Sequence, residues 1–151
     1  MAILEVGINF GSRNLLSVKY YSDSDNVISP KLRAKFLTGL EEYVSEVYGD
    51  KMNVISFSNF QIVCYYKMIK LTNMDLDGAD PLLIFAITEK DTDPSFVKKH
   101  LKEILNEFLN NFEVHEIICE DVEIFIDFHK KIDAILGDLR FKLDDRISSL
   151  F

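Results

Sequence analysis

Leu82-Leu83-Ile84-Phe85-Ala86-Ile87 is a run of six apolar residues without a break. A strand with one wet face alternates polar and apolar positions, so an unbroken run needs cover on both sides. The run predicts a central strand. Asp93-Pro94 follows, an acceptor for the open amides of a helix start and a residue suited to the first helical position. From Ser95 to Phe112 the apolar positions Val97, Leu101, Ile104, Leu105, Phe108, Leu109 and Phe112 recur at helical spacing, a stripe wide enough to lie on a sheet. A central strand therefore passes directly into a packed helix.

The other elements are set around that pair. Leu4, Val6, Ile8 and Phe10 alternate with Glu5, Gly7 and Asn9, which predicts a strand with one apolar face. Gly11-Ser12-Arg13-Asn14 is turn chemistry, and Leu16, Val18 and Tyr20 resume the alternation, completing a hairpin. Ser29-Pro30 opens a first helix over Pro30 to Tyr48, carrying Leu32, Phe36, Leu40, Tyr43, Val44 and Val47, and Gly49 closes it. Val54 to Phe57, the turn Ser58-Asn59 and Ile62 to Tyr66 predict a second hairpin. The six carboxylates and no Lys or Arg between Glu113 and Asp127 predict an irregular connection. A third helix follows, with Phe128, Ile132, Ile135, Leu139, Leu143, Ile147 and Leu150 on one stripe. The order is β-β-α-β-β-β-α-α in one domain, 1–151.

Composition limits the function classes. With 151 residues and 48% hydrophobic content the chain forms one core, since a domain of about 150 residues buries roughly 70% of its unfolded surface. Seventeen Lys and Arg against twenty-five Asp and Glu give a net charge of -8, which opposes the electrostatic attraction nucleic-acid binders use. Cys64 and Cys119 sit in apolar runs and read as buried free thiols of a reducing, cytoplasmic compartment. No apolar run approaches the roughly 18 residues that span a bilayer. Neither a signal peptide nor a lipidation motif is expected, so any membrane contact goes through a partner.

Candidate chemistry is sparse. His100, His115 and His129 share no metal-ligand spacing with the cysteines or one another. Asp75, Asp77, Gly78 and Asp80 offer oxygen ligands, but in the wrong order for a calcium loop. Gly7 and Gly11 lead into a hairpin, not the helix of a phosphate-binding loop. Neither the serines nor the cysteines sit in a nucleophile motif. The expectation is a non-enzymatic chain without cofactor or metal. Aromatic residues crowd the first predicted helix and its flanking strands. Tyr20, Tyr43, Tyr48, Phe57 and Phe60 are the candidate partner-binding positions, because aromatics anchor interfaces and strand edges accept partners. The acidic run Glu113 to Asp127 reads as a solvated face.

This element order resembles the longin domain, a small α/β module of vesicle-trafficking, adaptor, tethering and GTPase-exchange proteins. The resemblance is carried by the hairpin Ile3 to Tyr21, the crossing helix Pro30 to Tyr48, the meander Asn53 to Thr88 and the paired helices after Asp93. It implies a five-stranded antiparallel sheet of order 2-1-5-4-3, with the first helix on one face and the other two opposite. It also implies protein partners: a longin or roadblock-type domain, a small GTPase, a coiled-coil segment or a second copy of the chain. After the third helix no heptad segment or anchor of the membrane-fusion members follows, so an adaptor, tether or GTPase-regulator subunit is expected. The rival is a PAS-like small-molecule sensor, which shares the sheet order but carries several short helices where this chain has one long one.

Overall fold

A computed structural model describes residues 3–11, 13–20, 53–56, 60–69, 80–119 and 121–140 of the chain. Five strands, β1 (Ile3–Phe10), β2 (Arg13–Lys19), β3 (Asn53–Ser56), β4 (Phe60–Ile69) and β5 (Asp80–Glu89), form one antiparallel sheet of order β2-β1-β5-β4-β3. The unbroken apolar run lies in its middle strand, paired to β1 from Glu5↔Ile87 to Phe10↔Leu82 and to β4 from Phe60↔Glu89 to Ile69↔Asp80. Leu82 to Ile87 are all buried. The helix expected over Pro30–Tyr48 lies outside the described residues, as do Asp75, Asp77 and Gly78 of the segment offering oxygen ligands.

The two faces of the sheet carry separate cores. Val6, Ile8, Val63, Leu82, Ile84 and Ala86 meet the helices on one face, while Ile62, Cys64, Tyr66, Leu83, Phe85 and Ile87 form a second cluster on the other. Among the described residues the second cluster is built from strand side chains alone. β1 differs from the expected strand with one dry face, because Glu5 and Asn9 are buried as well. Gly7 lies between them, and its Cα faces Phe85 across the strand pair: a Cβ there would stand 2.3 Å from Cζ of that ring. A large ring therefore occupies the space a side chain on β1 would take. Asn9 Oδ1 accepts a 2.7 Å hydrogen bond from Asn14 Nδ2 across the hairpin, which lowers the cost of its burial.

The helical layer follows from its caps. Asp93 accepts from the Ser95 backbone amide at 3.1 Å, Pro94 takes the first position, and α1 runs over Pro94–Asn111. Val97, Leu101, Ile104, Leu105 and Phe108 face the sheet. The segment expected as irregular contains α2 (Val114–Cys119) and a 3-10 helix, Val122–Phe128, started by Asp121. Only Phe125 and Phe128 of that 3-10 helix are buried, where they join Phe108 and Phe112 with ring centroids 4.9 to 6.0 Å apart, within the range of favourable tilted and edge contacts. α3 (His129–Leu136) is shorter than the continuous helix expected: Gly137, at φ +53, stops it, and a 3-10 turn continues to Arg140. The predicted stripe beyond Arg140 lies outside the described residues.

Replacing Gly7 with valine should force its side chain into the Phe85 ring and destabilise the fold by about 1–3 kcal/mol, the usual cost of overpacking. Urea unfolding checks this, and an unchanged midpoint would show that the ring has room to move.

Candidate functional site

Among the described residues β3 pairs with β4 from Gln61 to Cys64, and β4 continues to Ile69 beside β5. A cavity of about 560 Å³, open to solvent, is bordered by Tyr65, Tyr66, Lys67 and Met68 together with Lys102 of α1. It lies beside β4 where Lys102 of α1 meets the strand.

Its chemistry comes from two elements. Lys102 projects from α1 with Nζ 5.5 Å from the centroid of the Tyr65 ring, a cation over an aromatic face. Lys67 donates to Asn106 Oδ1 at 2.8 Å, one turn further along the same helix. Lys98, one turn earlier than Lys102, continues this row. Met68 is 43% exposed, high for a large apolar side chain. The flank thus combines two lysines with aromatic and thioether surface, in a chain whose net charge is -8. It can bind an extended, negatively charged group.

The opposite edge, β2, is tied to the helical layer at both ends. Arg13 donates through its guanidinium to the carbonyls of Ile117 and Ile118 at 3.2 and 3.1 Å, placing a cation at the C-terminal turn of α2, where the helix dipole favours it. Beyond the other end, Tyr20 donates its hydroxyl to Asp133 Oδ1 at 2.5 Å. Arg140 approaches the second oxygen of Asp133 at 3.9 Å and donates from Nε to Gly137 O at 2.9 Å. Burial, and then the hydrogen bond to the Asp133 carboxylate, push the Tyr20 phenol far above its usual range. That is a structural clamp, with the hydroxyl held as a donor.

Of the five partner-binding candidates, Tyr43, Tyr48 and Phe57 lie outside the described residues. Tyr20 is half-buried against the helical core, and Phe60 is half-buried against the second cluster. The structure does not bring these two together. Tyr65 and Tyr66, noted in the sequence only as part of an aromatic crowd, line the flank cavity instead. A signal for Lys102 was present: it stands four residues from Lys98, beside the apolar stripe of a helix preceded by a clear cap.

The remaining chemistry-bearing groups have local partners. His100 and His129 donate from Nδ1 to Phe96 O and Ile126 O at 2.9 and 2.8 Å, and His115 Nδ1 lies 3.2 Å from the Glu113 carboxylate. Among the described residues no group of three or more His, Cys, Asp and Glu could hold a metal ion. None of the described helices is long and apolar enough to cross a membrane. Asp121, Glu123 and Asp127 of the acidic run are exposed, alternating with Ile124 and Ile126, which are also exposed. Cys64 is a buried free thiol. No family model matches the sequence, and no curated protein is similar to it.

Two outcomes follow from the buried groups. Tyr20→Phe should lower stability by about 1–3 kcal/mol, because a half-buried carboxylate loses its closest donor; a urea midpoint equal to the parent's would contradict the clamp. Burial raises the Cys64 thiol from 9.0 to about 12. A folded-state value above the unfolded one contributes stability that is complete below pH 9 and lost as pH rises through 12. In a Cys119→Ser background, iodoacetamide at pH 8 should leave Cys64 unmodified until urea unfolds the chain; prompt labelling of native protein would contradict its burial.

Proposed function

We infer that this chain is a non-enzymatic protein-interaction module of the vesicle-trafficking and small-GTPase-regulating type, working in the cytoplasm as an adaptor, tether or regulator subunit. The observation that carries this reading is the solvent-open cavity beside β4, where aromatic, thioether and lysine side chains come together. Exposed strand flanks with side-chain pockets serve peptide and domain recognition. Agreement between the observed sheet order and the order implied by the longin resemblance supports the same reading. Function would then reside at the periphery of a sheet whose interior is closely packed. Partners on this reading are a longin or roadblock-type domain, a small GTPase, a coiled-coil segment or a second copy.

Mixed size-exclusion chromatography tests it. The purified chain should co-elute with at least one member of a panel of small GTPases and longin or roadblock domains, or elute alone as a dimer. A monomer that shifts with none of them at concentrations of about 100 μM, well above typical specific affinities, would overturn the reading.

A further inference from the structure

We propose that the outward side of the 3-10 helix Val122–Phe128 docks a segment of a partner protein that carries Lys or Arg among apolar residues. This rests on the interaction-module reading and names a surface other than the β4 cavity. Periodicity gives the first argument. Residues three apart in a 3-10 helix eclipse one another, so the turn has three rows. Val122, Phe125 and Phe128 form the inward row, half-buried at its start and buried after it. The other two rows face outward, with Asp121, Ile124 and Asp127 on one and Glu123, Ile126 and His129 on the other. Each sets an exposed isoleucine beside at least one exposed carboxylate.

Exposure gives the second argument. Among the described residues five large apolar side chains are exposed, and two of them, Ile124 at 39% and Ile126 at 54%, stand on this one turn. Single exposed apolar residues are ordinary on a protein surface, whereas grouped ones mark contacts. The turn does not need the isoleucines for its seating, because the Phe125 and Phe128 rings already fix it against Phe108 and Phe112. A partner therefore meets a surface that is formed before binding, which lowers the ordering cost.

Charge names the occupant. Among the described residues neither Glu123 nor Asp127 is in a salt bridge, and the neighbouring Lys131 is committed to Glu107 at 3.2 Å. Asp121 accepts the capping amide of Glu123. An incoming Lys or Arg thus meets carboxylates that no cation already holds. The same carboxylates oppose an anionic lipid surface and a nucleic acid. A second copy is disfavoured too, since a twofold contact centred on the turn sets these acids against their own images in a chain of net charge -8.

A random dodecapeptide library displayed on phage, selected against the full chain and counter-selected against its Ile124→Ser/Ile126→Ser variant, tests the proposal. Retained sequences should be enriched in Lys and Arg among apolar residues. A synthetic peptide of that consensus should lose about tenfold or more in affinity, by fluorescence anisotropy, for Ile126→Ser and for Glu123→Gln/Asp127→Asn. The protein amides it perturbs in NMR spectra should centre on residues 121–128. All four substituted positions are exposed, so circular dichroism should match the parent's; should a serine variant not fold, the amide variant and the shift map decide. A neutral or acidic consensus, no enrichment at all, affinity unaffected in the folded variants, or perturbations centred on the β4 cavity would overturn the proposal. Self-association that Ile126→Ser abolishes would overturn it as well, by making the occupant a second copy. Co-elution with a small GTPase or with a longin or roadblock domain that persists in Ile124→Ser/Ile126→Ser would confine such a failure to this surface and leave the interaction-module reading standing.

Discussion

The contact between Phe85 and Gly7 is the constraint on which the rest of the structure depends. Phe85 is fully buried on the central strand, and only a residue without a Cβ leaves room for its ring on β1. That contact fixes the β1 to β5 register, Gly7↔Phe85, and with it the faces to which Val6 and Ile8 on one strand and Ile84 and Ala86 on the other are assigned. A slip of one residue would turn each of these side chains to the opposite face. Side chains on both faces of β5 are buried, so both faces of the sheet are committed to packing.

On the proposed reading, a sheet committed on both faces leaves recognition to its flanks and to the outer sides of its helices. The two flanks differ in kind. β2 is joined to the helical layer by Arg13 at its start and through Tyr20 just past its end, so its side chains act as ties. β4 instead borders a cavity open to solvent, and Lys102 of α1 lies over its Tyr65 ring. On the proposed reading, the two lysines beside that cavity in a net-negative chain would distinguish partners by charge, because complementarity governs orientation and encounter more than it adds affinity.

Much of the fold was legible in the sequence because its signals are local. The unbroken run Leu82 to Ile87 demanded cover on both sides, and Asp93-Pro94 marked the start of α1 to the residue. The burial of Glu5 and Asn9 was not legible, since alternation within one strand does not say what packs over its polar face. Gly137 was passed over because Ile135 and Leu139 keep helical spacing across it, while its backbone takes φ +53 and ends the helix. The ties of Arg13 reach α2 from more than a hundred residues away, which no local pattern encodes. The cavity beside β4 depends on how α1 lies against that strand, a tertiary fact. Its residues were visible singly, as aromatics and helical lysines, but not as a group.

The central claim is that β5 is the structural axis and that the periphery carries recognition. Native-state hydrogen exchange followed by NMR tests it most directly. The amides of Leu83 to Ile87 should exchange only through global unfolding, with an opening free energy equal to that from urea denaturation, while those of β2 and α3 open at lower cost. Exchange of the β5 amides through a cheaper local opening than those of α1 would contradict the account.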